Sequence, residues 1–355
     1  MSMNRMTKYY KKRKTAARSG NIRAGSPSLR IGVNDFANLN NILTNNTGPD
    51  IGIELTGNII LTGPLTIRTG KTVTISSTGG RKTLTRAANF SGDMFTIMSG
   101  AKLIINNVII DGNKNGVTGS PGAIIVLAGV DSALDVGNNT ILRNNKNETT
   151  NGGAISANGG QVRLLYGSEI SGNTAAYGGG VALMGSTTLI QENGGTINNN
   201  AAAIDGGGIA GILWSGTINI RGNISFNAAA KNGGGIYVPK GSLSRLTVES
   251  SAIFSQNTAT NPVMMYKASD HALYTSRIFG IVWSAYNQGY NNLDIAYSRA
   301  ASGSGGTARR QSVWIGGSHP VVLCDRPYSS PINVPCGCRT MNGGGRCCNV
   351  SFPTC

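Results

Sequence analysis

The chain has 355 residues, of which 51 are glycine, 39% are apolar and 13% are charged. The apolar share is large enough for a hydrophobic core and excludes a wholly disordered chain, and glycine without a strict three-residue period excludes collagen. The net charge is +16, and no apolar run reaches the roughly 18 residues of a membrane-spanning helix.

Residues 1–30 form a basic arm with nine Lys or Arg and no acidic residue. Its main cations are Lys8, Lys11, Lys12, Arg13, Lys14 and Arg18. Such a run can bind polyanions through counterion release, but it also suits a solvated terminus that aids solubility or docks on a neighbouring subunit. No recognised nucleic-acid-binding fold follows it, which argues against nucleic acid as the partner. A surface glycan or another polyanion stays open, and so does a genome-binding coat role.

The arm has no apolar stretch of the kind that a secretory signal peptide carries. Beyond it, short runs of alternating apolar residues continue to about residue 262, as in Thr72-Val-Thr-Ile75 and Leu246-Thr-Val248. Alternation of this kind, bounded by Gly, Asn and Ser, predicts short β-strands and turns.

A repeat runs through the middle of the chain. Its unit is an apolar residue, two variable residues, an asparagine, a short linker and a glycine run, as in Ile170-Ser-Gly-Asn173 followed by Gly178-Gly-Gly-Val181. The repeated asparagines are Asn173, Asn200, Asn227 and Asn257, and they are 27, 27 and 30 residues apart.

This period predicts one coil of a parallel β-solenoid, since a single coil cannot bury its apolar side chains and a stack of coils can. Residues 31–262 would then form about eight or nine coils in a rod roughly 40 Å long, with open sheet edges at both ends. One asparagine per coil predicts a stacked ladder in which each side chain bonds the next coil. A simple turn preference of asparagine is the alternative.

The glycine motifs and Phe254-Ser-Gln-Asn257 resemble the repeats of polymorphic outer-membrane proteins and related bacterial adhesin-like proteins. The segment from Ile53 to Ile75 is similar to the first coils of the wider pectate-lyase-like superfamily. The resemblance implies an all-β fold, a single-stranded right-handed parallel β-helix.

The acidic residues of the body are dispersed, without the close pairs that glycan hydrolases use. Asp131 and Asp135 are the most closely spaced aspartates, and turn chemistry explains them better than catalysis. The two histidines, His271 and His319, lie near no nucleophile motif. We therefore predict no catalytic residue, no metal site and no cofactor. A polysaccharide lyase or hydrolase stays an alternative, because a solenoid can assemble a site from residues one coil apart.

Residues 263–355 are rich in aromatic residues and cysteine, and they are predicted to form a C-terminal β/loop region that acts as a cap or an interaction domain. All six cysteines lie there: Cys324, Cys336, Cys338, Cys347, Cys348 and Cys355. Their spacing does not fit the usual zinc pairs, so we expect disulfides, within or between chains, with a thiolate metal cluster as the alternative. Persistent disulfides indicate an oxidising compartment.

These features lead to a functional hypothesis: a non-enzymatic structural protein of the extracellular space or of a cell or spore surface. It would self-assemble into a homo-oligomer or fibre by stacking β-helices, with disulfide cross-links. An adhesin or glycan-binding module is the first alternative, since solenoid faces suit extended ligands.

Overall fold

The computed structural model describes residues 30–119, 121–238, 242, 245–249 and 251–259, and the backbone of seven short strands between residues 264 and 353. The chain winds into a stack of turns. Each turn adds one strand to sheet A, then one to sheet B and one to sheet C, and later turns insert a strand of sheet D between B and C. The fold confirms the prediction of an all-β parallel solenoid.

The strands of each sheet follow in chain order. Sheet A contains Arg30–Val33, Asp50–Leu55, Thr72–Ser76, Lys102–Asn106, Ala133–Val136, Gln161–Leu164, Thr188–Gln191, Thr217–Ile220, Leu246–Val248, Gln311–Ile315 and His319–Leu323. Sheet B contains Ile59–Leu61, Lys82–Arg86, Val108–Asp111, Ile141–Arg143, Glu169–Ser171, Thr196–Asn198, Asn223–Ser225 and Ile253–Ser255.

Sheet C and sheet D complete the turns. Sheet C contains Leu65–Ile67, Phe95–Met98, Ile125–Ala128, Ile155–Asn158, Val181–Gly185, Ile209–Trp214, Ile236–Val238 and Ile295–Tyr297. Sheet D contains Lys146–Asn151, Thr174–Tyr177, Ala201–Ala202, Ala228–Ala229 and Thr258–Ala259. Two antiparallel pairs stand apart from these sheets: Met264–Lys267 with Ala272–Thr275, and Pro331–Asn333 with Ser351–Pro353.

The stack has about seven complete turns and part of an eighth, slightly fewer than the expected eight or nine coils. The first residues after the arm form an edge strand and a helix instead of a coil. Several early turns are also longer than the expected period, since Thr72 pairs with Lys102 and Lys102 with Ala133.

The apolar core is a set of columns that run along the stack. In sheet A, Val73, Leu103, Leu134, Val162 and Leu189 are register partners in consecutive turns, and all are at most 1% exposed. Because successive residues of a strand point to opposite faces, one alternating pattern repeated in every turn is enough to build such a column.

A helix that the sequence analysis did not predict covers the N-terminal end of the stack. Helix α1 spans Phe36–Asn45 and packs on the first strands of sheets B and C, with Leu39 and Leu43 buried. The carboxylate of Asp35 caps it by accepting a hydrogen bond from the backbone N–H of Asn38 at 2.9 Å. The solvent side of the helix is polar and rich in asparagine, so the helix presents a polar surface to a second stack at this end.

Two cations hold the far end of helix α1. Arg68 donates to the carbonyl oxygen of Thr44 at 2.9 Å, and Lys71 donates to those of Thr47 and Gly48 at 2.7 Å. Positive charge at the C-terminal end of a helix is favoured by the helix dipole, so these contacts fix the helix on the stack.

Glu54, in the second strand of sheet A, connects the first strand, Arg30–Val33, to the end of the third strand, Thr72–Ser76, and the loop after it. Its carboxylate accepts hydrogen bonds from Arg30 at 3.2 Å, from Ser76 at 3.0 Å and from the backbone N–H of Thr78. Burial raises the pKa of Glu54, but the hydrogen bonds from Thr78, Ser76 and Arg30 outweigh it and hold the pKa below its ordinary value of 4.5.

Because the folded pKa of Glu54 is lowered, its carboxylate contributes stability above pH 4.5 that is lost as the pH falls through the folded pKa. We expect the difference in free energy of unfolding between the wild type and Glu54→Gln to shrink as the pH falls below 4.5. Urea titrations at several pH values measure this, with Glu148→Gln at an exposed site as the control. A difference that does not change with pH would contradict the prediction.

The C-terminal end of the apolar column is also covered. Leu246, Val248 and Phe254, in the last described turn, are each 1% exposed, whereas an open end would leave their side chains in water. Strands from the C-terminal region continue two of the sheets here, since Ile295–Tyr297 pairs in parallel with sheet C and Gln311–Ile315 with sheet A.

Candidate functional site

Five stacked asparagines occupy the corner where sheet B passes into sheet D. This asparagine ladder consists of Asn145, Asn173, Asn200, Asn227 and Asn257, all at most 2% exposed. At three steps, both the backbone N–H and the side-chain Nδ2 of one asparagine donate to Oδ1 of the next, all at 3.0 Å. At the first step the backbone N–H of Asn145 donates to Asn173 at 3.1 Å.

The ladder amides also bond the preceding turn. Nδ2 of Asn200 donates to the carbonyl oxygen of Ile170, and Nδ2 of Asn227 to that of Ile197, both at 3.0 Å. The amide hydrogens and oxygen of each of these side chains are therefore used inside the stack, and a buried polar group that is fully bonded rigidifies its surroundings.

The residue before every ladder asparagine has a left-handed backbone conformation. This conformation turns the side chain of the following asparagine inward. The left-handed residues are Asn144, Gly172, Asn199, Phe226 and Gln256, with φ between 53° and 67°. Asparagine and glycine adopt this conformation readily. Phe226 and Gln256 do not, so their conformation is imposed by the ladder and not by their own preference.

The glycine runs form a second corner, between sheet D and sheet C. The first glycine of each run has a left-handed φ, as at Gly178 (61°) and Gly206 (69°). The second lies against the next turn: a Cβ on Gly179 would come 2.4 Å from the carbonyl oxygen of Ala201, and one on Gly207 2.4 Å from that of Gly234. The first glycine is required by its backbone conformation and also by space, since a Cβ on Gly178 would lie 2.3 Å from the carbonyl oxygen of Val181. The second is required by space.

The structure places the four asparagines that the sequence singled out on consecutive turns. The sequence analysis did not single out Asn145, because its copy of the repeat is looser than the later ones. Leu142 lies three residues before Asn145, as Ile170 does before Asn173, and this spacing was the available signal. Asn147 is buried as well, and it donates to the carbonyl oxygens of Asn151 and Gly152. The six cysteines, and Lys8 to Arg18 of the basic arm, lie outside the described residues.

Charged side chains on the outer face of sheet A pair across turns. Asp135 contacts Lys102 at 2.7 Å and Arg163 at 3.9 Å, and Arg221 contacts Glu192 at 2.9 Å and Glu249 at 3.9 Å. The carboxylate of Asp135 is buried between its two partners, at 6% exposure. The more exposed pairs of Arg221 contribute about 0–1 kcal/mol each, so they align neighbouring turns more than they stabilise them.

A shallow depression of about 350 Å³ lies at the corner where sheet C passes into sheet A. Asp131, Gln161 and Ser186 line it together with Val130, and Asp131 has a left-handed φ of 62°. Across the described ranges, no group of three or more His, Cys, Asp or Glu could hold a metal ion. None of the helices described is long and apolar enough to cross a membrane.

The stacked turns, the asparagine ladder and the glycine corner define a parallel β-solenoid protein. The chain matches no protein-family model, and comparisons with curated proteins and with solved structures give no match.

Proposed function

We propose that this chain is a non-enzymatic structural protein of the extracellular space or of a cell or spore surface, where it self-associates and is cross-linked by disulfides. One observation carries the proposal: the basic arm and the cysteine-rich region, which are suited to association, are attached to opposite ends of the stack. The basic arm leads into Arg30–Val33 at one edge of sheet A, and strands of the cysteine-rich region pair with the last turn at the other end.

Association through these terminal segments fits the structure better than direct stacking of coils. Helix α1 presents a polar surface at the N-terminal end, and the side chains of the last described turn are buried. Strand-to-strand growth of a fibre would require both coverings to move. Disulfide cross-linking joins cysteine side chains and does not itself need an unpaired strand edge; in the sequence, Cys324 directly follows the strand His319–Leu323.

The right-handed winding and the likeness to adhesin-like β-helix proteins belong to the same proposal. Parallel strands joined by crossover connections are right-handed in nearly all known cases, and this rule supports the expected handedness.

Analytical ultracentrifugation of the oxidised full-length protein tests the proposal. We expect multimers that reductant converts to smaller species, and a variant with all six cysteines changed to serine should behave like the reduced wild type. Deletion of residues 1–29 separates the contribution of the arm. A strictly monomeric protein at high concentration, in both redox states, would refute self-association.

A glycan-binding module is the second candidate, favoured by the shallow depression lined by Asp131, Gln161 and Ser186, whose polar side chains can hydrogen-bond sugar hydroxyls. Binding on a glycan array that Asp131→Ala abolishes would support this candidate. Release of reducing ends or unsaturated products from uronic-acid polymers would instead support a polysaccharide lyase or hydrolase.

A further inference from the structure

Arg86 ends a strand of sheet B with its side chain inside the stack, where it is 0% exposed. Its guanidinium donates to main-chain carbonyl oxygens of two segments outside the strands. These are Gly92 in residues 87–94, and Gly122 (3.3 Å) and Ala123 (3.2 Å) in residues 112–124, of which residues 112–119 and 121–124 are described. It also lies 5.0 Å from the centre of the Phe90 ring. One side chain thus holds both segments.

The same guanidinium donates to Oδ1 of Asn145 at 3.3 Å. At later steps of the ladder, each such oxygen accepts from the asparagine of the preceding turn. The ladder does not continue into the turns before Asn145. The positions equivalent to Asn145 in the two preceding turns are Asn113 and Ala87. Asn113 has a left-handed φ of 52°, and its Nδ2 donates to the backbone oxygen of Arg86. Arg86 supplies the donor that a further ladder asparagine would have supplied.

The environment of this cation is unusual. Nε of Arg86 has no hydrogen-bond partner, and none of the ion pairs in the described residues includes Arg86. Burial lowers the pKa of Arg86 to about 10, and the nearby charge of Asp93 opposes that shift. A buried cation without a carboxylate in contact is costly, whereas an apolar side chain would fill the same space without that cost. The polar contacts of Arg86 are therefore the reason for its presence.

We propose that Arg86 terminates the asparagine ladder, fixing the turn at which the ladder begins and tying Asn145 to residues 87–94. It also reinforces the direct bond from Nδ2 of Asn145 to the carbonyl oxygen of Gly122, at 2.7 Å. Turns that repeat the same columns of apolar residues and asparagines resemble one another, so a feature that differs between turns helps to specify their register. A single buried group that occurs in one turn alone distinguishes the correct register from a shifted one, as buried polar residues do in coiled coils.

Hydrogen–deuterium exchange of full-length Arg86→Met tests this proposal. We expect exchange about tenfold faster or more in residues 87–94, residues 112–124 and at Asn145, with protection kept from Asn173 to Asn257. Arg163→Met, which removes an arginine from the outer face of sheet A, is the matched control and should leave all of these regions unchanged. Unchanged exchange in the two segments, or equal acceleration throughout the stack, would overturn the proposal.

A second set of variants keeps the test valid if Arg86→Met does not fold. Arg86→Lys keeps the cation but has fewer donors, so we expect the same regional pattern at smaller size. The double variant combines Arg86→Lys with Asn145→Leu. The leucine has no oxygen that needs the donor which Arg86→Lys weakens. The two substitutions should then shift the urea midpoint by less than the sum of their separate shifts. Additive shifts would overturn the role of Arg86 as the terminator of the ladder.

Discussion

Asn200→Ala is expected to lower the free energy of unfolding by about 4 kcal/mol, because it strands several buried polar groups at once. The backbone N–H of Asn173 loses its acceptor, and the carbonyl oxygen of Ile170 loses the one of its donors that comes from the ladder. The Nδ2 of Asn173 loses its second acceptor, and the Oδ1 of Asn227 loses one of its two donors. Each buried group left without a partner costs about 1–3 kcal/mol.

Urea titration followed by circular dichroism measures this loss. Asn193→Ala is the matched control: Asn193 lies in the same turn and is exposed, so its replacement should change the free energy of unfolding by no more than about 0.5 kcal/mol. A loss below about 1 kcal/mol for Asn200→Ala would show that turn preference, and not the ladder, explains the repeated asparagines.

Gly207→Ala is expected to destabilise the stack by about 3 kcal/mol or more, through overlap with the next turn. The new Cβ would lie 2.4 Å from the carbonyl oxygen of Gly234 and 2.5 Å from that of Ala228. Both oxygens belong to backbone that is held in sheet D and in the glycine corner, and the neighbouring turn cannot move away without losing bonds such as that from the N–H of Gly207 to Gly233.

Gly32→Ala separates this steric effect from the general effect of adding a methyl group. A Cβ on Gly32 would meet only Cγ2 of Thr56, at an ordinary 3.5 Å, and we expect a change within about 0.5–1 kcal/mol. Thermal denaturation of the two variants makes the comparison. Equal stability would contradict the close approach of turns at the glycine corner.

The parallel solenoid could be predicted because its signals are local and repeated. Alternation in segments such as Thr72-Val-Thr-Ile75 determines which side chains enter the core, and the 27-residue spacing from Asn173 to Asn200 and Asn227 reports the stacking of turns. The expected number of coils is slightly high because the residues of the edge strand and helix α1 were counted as a coil and because Thr72 pairs with Lys102, a step longer than the period.

Other features could not be predicted because they depend on contacts between distant residues. Helix α1 was missed although Asp35, Phe36, Leu39 and Leu43 give a capping residue and a helical spacing, since the surrounding strand signals dominated the prediction. Arg86 occurs once, so no repeat points to it, and its partner Asn145 lies 59 residues further along the chain.

Negative-stain electron microscopy of the oxidised full-length protein, repeated after reduction, tests the proposed structural role most directly. Seven turns at a strand spacing of about 4.8 Å give a rod of roughly 35 Å, so linked rods are distinguishable from single ones by length. We predict linked rods, filaments or layers in the oxidised sample and separate short rods after reduction. Separate short rods in both samples would contradict cross-linked self-association and favour the glycan-binding candidate.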